Sequence, residues 1–419
     1  GASMRETQLL TDELLAQFVT ITANAYPGIK LLTDEEKERT RDRMAQLQKG
    51  DEVHYYGLVE DDVLLGGMRF HDYRMKLRSA MTLVGGLGGV AVDLAHKKQK
   101  VARDMVQFFL QHYRERGACL TALYPFRPDF YRRMGFGYGS KMSQYRVSPA
   151  SLPAHGDRMA VSFLTDADKA GLNACYGRFL AQTNGLMEKQ TYALDGMFKS
   201  QTLKLVGYKS AGELQGYISF DFKMREEGNF LWQDIIIHEL VYENRTALAA
   251  LLAFLHTQAD QVDRIVFNTQ DDNLHFLFGD PRNDSNHIIP SVWHESNTQG
   301  IGIMYRVIDV PRLFAVLADH NFNGQSCRFT LSLADSLLPE NGGEYGVLCV
   351  NGRITLTAPQ PDDVVVSMDI AEFSSLITGA IGFNELYQFN LADISDVNLL
   401  ETINQLFWTA QKPLCLTSF

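Results

Sequence analysis

At 419 residues the chain is longer than one compact core sustains, so roughly two to four domains are expected. A net charge of −11 argues against nucleic acid as the main partner, since a phosphate binder carries a basic excess, and favours cationic ligands instead. The five cysteines (Cys119, Cys175, Cys327, Cys349, Cys415) are odd in number and lack CxxC spacing, which indicates neither a disulfide framework nor a zinc site, and no metal is expected.

No apolar run approaches the roughly eighteen residues of a membrane span and no signal-peptide pattern opens the chain, so a soluble, cytoplasmic protein without a membrane partner is expected. Residues 1–3, ahead of Met4, read as a remnant of protease cleavage and are set aside. Asp34, Glu35 and Glu36 open a helix, where acidic side chains suit the dipole. Residues 53–75 then read as strand, acidic turn, strand, and residues 203–224 repeat that pattern, with Gly66 and Phe70 standing where Gly216 and Phe220 stand in the second copy. Each hairpin leads to another strand, a helix (101–113 and 246–258) and a short apolar strand, CLTALYPF and RIVFN. In the first helix Val101, Met105 and Phe109 recur every four residues beside Ala102, Val106 and Tyr113, making one wide apolar face that Gly117 terminates. The pairs Asp61–Asp62, Glu226–Glu227 and Asp271–Asp272 fall in expected turns and face solvent rather than a metal.

From about Tyr305 the texture changes to a third, α+β domain: a strand into a helix capped at Asp309, then the short strands CRFTLSLAD, YGVLCVNG, RITLTA and VVVSMDI, and two helical segments. Polar seams at 148–158 and 280–292 divide the chain into 4–150, 151–290 and 291–419. The ending PLCLTSF is apolar at alternate positions and predicts an edge strand packed into the body.

The chemistry concentrates in the first copy. A strand ending Val90-Ala91-Val92-Asp93 turns into a basic helix start that holds Lys97, Lys98, Lys100, Val101, Ala102 and Arg103. Free N–H groups at such a helix start favour an anion, and a pyrophosphate fits there, while unpaired N–H groups at Val90 and Val92 could bind amides and polarise a thioester carbonyl. A solvated basic helix start is the plainer alternative. Further on, Tyr131 stands four residues before Gly135-Phe136, and a phenol beside such a cradle can protonate a departing thiolate. The alternative is a packed aromatic, and Tyr138 offers a rival phenol.

Strand, basic turn, helix, strand and then YxxxGF resembles the GNAT family of acetyl-CoA-dependent N-acetyltransferases. The whole chain, through its domain order, HKKQKVARDM, FYRRMGFGYG and its ending, resembles the Enhanced intracellular survival (Eis) family. The fold so implied is two tandem GNAT-like domains, α/β, followed by a sterol carrier protein-like α+β domain. The implied activity is acetyl transfer from acetyl-CoA to primary amines of cationic small molecules such as aminoglycosides, or to lysine side chains, by a homo-oligomer, usually a hexamer. By the same resemblance Val90 and Val92 supply the amides, Lys97 and Lys98 the phosphate contacts, Tyr131 the general acid and the Phe419 carboxylate the group that engages the amine. Ala91, Lys100, Val101 and Ala102 complete the expected cofactor-binding set, and Tyr26 is a wall residue of the substrate cleft. One departure stands out: Lys100 occupies the position of the signature's first glycine, where a side chain narrows the approach that glycine permits.

The second copy puts Glu239, Glu243 and a single Arg245 at the corresponding turn, and no YxxxGF follows its last strand. It is expected to be a structural copy without CoA. Two other readings stay open: a protein-lysine acetyltransferase, which differs only in substrate, and a non-catalytic carrier of lipid or small molecules through the third domain.

Overall fold

The computed structural model describes residues 4–26, 33–230 and 232–419, without the side chains of residues 97–99. In chain order the first stretch forms β1 (Arg5–Leu9), α1 (Asp12–Ala25), α2 (Asp34–Gln48), β2 (Val53–Glu60), β3 (Val63–Leu77), β4 (Ala80–Val92), α3 (Val101–Glu115), β5 (Leu120–Leu123), α4 (Pro128–Arg133) and β6 (Gly137–Tyr138). The second forms β7 (Met142–Val147), β8 (Val161–Phe163), α5 (Lys169–Ala181), α6 (Thr191–Lys199), β9 (Lys204–Ser210), β10 (Glu213–Met224), β11 (Gln233–Tyr242), α7 (Arg245–His256) and β12 (Arg264–Thr269). A small hairpin, β13 (Ile288–Ile289) and β14 (Trp293–His294), precedes β15 (Asn297–Gly300), β16 (Met304–Val307) and α8 (Val310–Val316). The remainder forms β17 (Cys327–Ala334), β18 (Gly343–Val350), β19 (Arg353–Thr357), β20 (Val365–Asp369), α9 (Ile370–Thr378), α10 (Phe383–Gln388), β21 (Ala392–Ile394) and α11 (Leu400–Phe407).

The chain forms two compact units, Gly1–Gly139 with Ile303–Pro413 and Ser418–Phe419, and Ser140–Gly302 with Leu414–Thr417. Each carries a seven-stranded sheet. The orders, β1-β2-β3-β4-β5-β16-β6 and β8-β9-β10-β11-β12-β7-β15, match place for place, as the duplicated hairpin pattern predicts. Gly66 and Gly216 show why they recur. A Cβ on Gly66 would stand 2.9 Å from the Ala91 carbonyl oxygen and 3.0 Å from Met105, and one on Gly216 would stand 3.0 Å from the Val241 carbonyl oxygen and 3.1 Å from Ala247. Both hairpins therefore lie hard beneath their helices, α3 and α7, at the same point.

Two strands are not where the sequence reading puts them. β7 pairs with β12 and β15 in the second sheet, and β16, expected to open the third domain, pairs with β5 and β6 in the first. The units consequently divide at 139/140 and 302/303, not within 148–158 and 280–292. Alternating side chains mark a strand without naming its partner, which is why the exchange is silent in the sequence.

The expected helices are present. Thr33 caps α2, accepting from the Glu36 N–H at 3.1 Å, with three acidic residues in the first turn. α3 buries Val101, Met105, Val106, Phe109, Leu110 and Tyr113 against β3 and β4, each side chain contributing about 1.5–3 kcal/mol, and ends before Gly117 at φ +92. Asp309 caps α8 as anticipated. In the third region a five-stranded sheet, β19-β18-β17-β20-β21, packs with three helical segments after β20 where two were expected. α9 is buried along its whole length, with β6 and β16 on one side and β17 and β20 on the other. The last twelve residues form no strand. The expected edge strand is replaced by single hydrogen bonds, Leu414 N–H to Asn184 O (2.9 Å) and Cys415 N–H to the Gln270 side chain (2.6 Å), because Pro413 interrupts the donors and no ladder follows.

Candidate active site

The first sheet splits beside β4. Its parallel ladder with β5 stops at Leu87 and Leu123, whereas β4 continues to Val92 and bonds only β3 from Gly88 onward. The Asp93 N–H donates to Leu65 O of β3 at 2.8 Å. Alternation then turns Ala91 toward β3 and leaves the N–H groups of Val90 and Val92 on the open edge. Such an edge can pair with the amides of an extended ligand. Ala91, grouped with its neighbours in the sequence reading, faces the other way and packs in the core at 3 % exposure.

The end of that strand leads through a short 3-10 turn into α3. The first bond of the helical ladder runs from the Asp104 N–H to Lys100 O, so the N–H groups of Val101, Ala102 and Arg103 lie ahead of it, and no side chain caps them. Val101 is fully buried, so only its backbone can meet a ligand, Ala102 is half-buried, and Lys100 and Arg103 are exposed. Lys100 adopts φ +58 and ψ +28, the left-handed conformation that glycine takes without strain. The position does require a glycine-like backbone, and the lysine supplies it at a cost of about 1 kcal/mol. The side chains of Lys97 and Lys98 lie outside the described residues.

Tyr131 sits on α4, 2 % exposed, with Phe126, Phe130 and Phe136 ringed edge-on around it at 5.1–5.7 Å. Its helix is held at the far end by a buried pair. Gly135, at φ +93, leaves room for the Arg306 guanidinium, which donates to Met134 O and forms a bidentate pair with Asp335 at 2.6 and 2.8 Å. The glycine of YxxxGF therefore serves both a turn and a close approach. Burial drives the Tyr131 phenol far above the ordinary tyrosine range, and the nearby Tyr26 phenol adds to the shift. Tyr26, at the end of α1, donates its hydroxyl to Val90 O on the same open edge, so Val90, Tyr26 and Tyr131 converge. Among the described residues the Tyr131 hydroxyl has no hydrogen-bond partner. Tyr138 lies on β6, separated from β5 by β16, and its ring is covered by Arg132 at 4.9 Å, which removes it from the split.

Phe419 lies on the face of β3 and β4. Its ring is boxed by Tyr73 (5.1 Å), Tyr124 (5.1 Å) and His71 (5.8 Å). A Cβ on Gly88 would fall 2.9 Å from the Phe419 carboxyl carbon and 2.5 Å from Arg69 Nη2, and one on Gly86 would fall 3.1 Å from the Phe419 ring. The buried His71 accepts from Arg69 Nε at Nε2 (2.7 Å), which places the proton of the neutral ring on Nδ1, 3.2 Å from the Tyr73 hydroxyl. Both ring nitrogens are engaged, and the terminal carboxyl carbon lies on the same face beside Gly88. Arg69, His71, Tyr73, Tyr124 and the glycines of β4 were not singled out in the sequence. The signal was there in LVGGLGG, four glycines inside a strand, which mark a close approach of something to the backbone.

The second sheet repeats the split, since the β11–β12 ladder ends at Ile237 and Phe267 and β11 runs on to Tyr242. Its helix start is closed. Asn244 accepts from the Ala247 N–H at 2.9 Å and donates to Gln215 at 3.0 Å. Glu243 is held by Arg178, and Glu239 by Lys189 and the Tyr217 hydroxyl. The Ala247 N–H and both carboxylates at this helix start are thus already engaged within the domain, unlike the uncapped start of α3.

Comparison with known proteins agrees with this architecture. The profile of an acetyltransferase (GNAT) domain matches residues 6–139, a second acetyltransferase (GNAT) profile matches 186–307, and a sterol carrier protein domain profile matches 313–416. Among curated protein sequences nothing matches. Among solved structures, the GCN5-related N-acetyltransferase from Anabaena variabilis ATCC 29413 superposes with a TM-score of 0.83 at 16% identity over 99% of this chain and 100% of that one. The GCN5-related N-acetyltransferase from Kribbella flavida (0.79, 19% identity) and Eis1 from Mycobacterium abscessus (0.77, 19% identity) each cover 99% of this chain and 100% of their own. GNAT domains use acetyl-CoA, and no group of three or more His, Cys, Asp or Glu among the described residues is arranged for a metal ion. No helix among the described residues is long and apolar enough to cross a membrane. The chain is a GNAT-type N-acetyltransferase, with two GNAT domains followed by a sterol carrier protein domain.

Proposed function

We propose that the first GNAT domain transfers the acetyl group of acetyl-CoA directly to a primary amine of a cationic substrate, with polyamines of the aminoglycoside kind as the leading class. The observation that carries this reading is the meeting of a free strand edge at Val90 and Val92, an uncapped α3 start and a buried phenol without a protein partner in one split. The Val90 and Val92 N–H groups hold the amides and the thioester carbonyl, the α3 start and Lys100 hold the phosphates, and Lys97 and Lys98 add charge. Tyr26 walls the cleft.

The Phe419 carboxylate binds and orients the ammonium, and desolvation helps release its proton; a carboxylate alone is a weak base toward an alkylammonium. Tyr131 supplies the proton to the departing thiolate. Because burial raises its phenol, Tyr131 stays protonated across the neutral and mildly alkaline range. The rate should therefore climb with pH as the amine loses its proton and show no tyrosine limb below about pH 10.

The test is CoA-thiol release with acetyl-CoA and a panel of aminoglycosides, polyamines and lysine peptides, run beside Tyr131→Phe. Turnover on a polyamine that falls by about 100-fold in the variant supports the assignment. Unchanged turnover removes Tyr131 from the chemistry, and turnover on lysine peptides alone moves the substrate to protein. One glycine added after Phe419 is expected to depress kcat sharply if the carboxylate acts. The carrier alternative is less favoured, since the depression of about 640 Å³ in the third domain is open and mixes Leu333, Met368 and Leu391 with Ser332, Asn390 and Asp393, whereas a lipid chain calls for an enclosed apolar cavity. We further propose a cytoplasmic hexamer, which light scattering on the purified protein checks.

A further inference from the structure

The second sheet keeps the split of the first but not its cradle, and something fills it. Leu414, Cys415 and Leu416 line the same cleft as Ile237, Leu240 and Phe267, leaving only about 90 Å³ open. Two hydrogen bonds fix this segment beside a buried phenol. The Leu414 N–H donates to the backbone oxygen of Asn184 and the Cys415 N–H donates to Gln270 Oε1 at 2.6 Å, while the buried Tyr176 phenol, which donates to Met187 O at 2.5 Å, lies beside Cys415 and Thr417. Asn184 and Gln270 are 5 % and 6 % exposed and Cys415 2 %, so these are built contacts rather than surface ones. Gln270 directly follows β12, on the side of the split that corresponds to the end of β5 in the first sheet.

We propose that the degenerate split of the second GNAT domain is a seat for the chain's own tail. It takes Leu414–Thr417 where the first domain offers its open strand edge to an acyl donor. Gln270 is then a positioning residue for the tail: it fixes Cys415, and Phe419 follows Thr417 by two residues in the chain. The tail's amides meet Asn184 O and Gln270 Oε1 beside the split rather than the strand edge itself, and its apolar side chains line the cleft. The second domain lacks a phosphate cradle because its split holds peptide. This last step rests on the carboxylate role of Phe419 given above; the seat itself does not.

The experiment uses the full chain with Gln270→Leu, which removes the acceptor at similar volume, and Tyr176→Phe, which removes the phenol. Iodoacetamide labelling of Cys415 is followed by peptide mass spectrometry, with the buried Cys119 as internal reference, alongside kcat and KM for acetyl-CoA. The seat predicts Cys415 labelling at least about tenfold faster in a variant, and positioning predicts kcat lower by about tenfold or more at unchanged KM. Cys415 that stays protected in both variants overturns the seat. Faster labelling with full kcat, in a protein whose glycine-extended form is inactive, overturns the positioning role. If the glycine-extended chain is itself fully active, the carboxylate reading falls instead and the seat stands or falls on Cys415 labelling.

Discussion

Gly88→Ala tests the placement of the chain end with one methyl group. The added Cβ would stand 2.9 Å from the Phe419 carboxyl carbon and 2.5 Å from Arg69 Nη2, where ordinary contact begins at 3.4 Å. The carboxyl must retreat by about 0.5 Å and the guanidinium by about 1 Å, and a misplacement of that order costs up to about 100-fold in rate. We expect kcat to fall about 10- to 100-fold, or roughly 1.4–2.7 kcal/mol in the barrier, with KM for acetyl-CoA nearly unchanged. The loss of stability should stay under about 1 kcal/mol, because the Arg69 end is the far tip of a flexible side chain. Gly85→Ala is the matched control. Its Cβ would meet the Tyr113 ring at 2.4 Å under α3, on the opposite face, so it should cost about 1–3 kcal/mol of stability and leave the rate of the folded fraction intact. The assay is CoA-thiol release at saturating acetyl-CoA beside a thermal melt of each variant. A Gly88→Ala enzyme with undiminished kcat would refute the reasoning, since the carboxylate could not then be where catalysis needs it.

Lys100→Gly should leave the melting temperature within about 2 °C, because relief of left-handed strain and the extra chain entropy of glycine offset each other, while KM for acetyl-CoA rises several-fold with the lost charge. A KM that falls would mean that the side chain obstructs the phosphates. His112 is pushed down to about 4, first by burial and then by Arg116, so the fold favours its neutral form. Its contribution is complete above the ordinary pKa of 6.5 and is lost as pH falls toward 4; discounted for partial exposure, that is about 1–2 kcal/mol. His112→Phe, among Tyr56, Phe70 and Phe108, should flatten the loss of stability between pH 6.5 and 4 in denaturant titrations. Arg306→Met strands a buried Asp335 and should cost about 3–5 kcal/mol, with most of it recovered in Arg306→Met/Asp335→Leu. A double variant no more stable than the single would show that the arginine's backbone contact at Met134, not the ion pair, holds α4.

Much of the first domain was legible because its signals are local. The four-residue spacing from Val101, the acidic opening of α2 and the repeat of Gly66 in Gly216 each reflect forces acting within a few turns or across one hairpin. Val90, Val92 and Tyr131 were candidates from a strand end, a following helix and a family resemblance, and the structure brings the Val90 edge, Tyr26 and Tyr131 near one another. Ala91 belongs to the same strand end, but the period of two turns its backbone toward β3, which a short motif does not display. What stayed hidden depends on distant partners: the fate of β7 and β16, the pairing of Arg306 with Asp335, and the glycines of β4 that admit Phe419. The tail was read as apolar and packed, correctly, but its donors meet a backbone oxygen and a glutamine rather than a ladder, and no periodicity encodes that.

The exchanged strands also set what a usable fragment of this protein can be. A piece ending at residue 139 or 150 would keep β5, all four of whose residues are buried, but lose β16, and so would expose two unsatisfied strand edges, on β5 and on β6, ready to pair with a neighbour. A piece beginning at 151 would likewise lose β7 from the flank of β12. The interchangeable parts are not consecutive stretches of the gene product. A chimera that carries residues 303–307 with the first sheet and 140–147 with the second would preserve every ladder, whereas one spliced at the polar seams would aggregate, however well its parent domains fold in place.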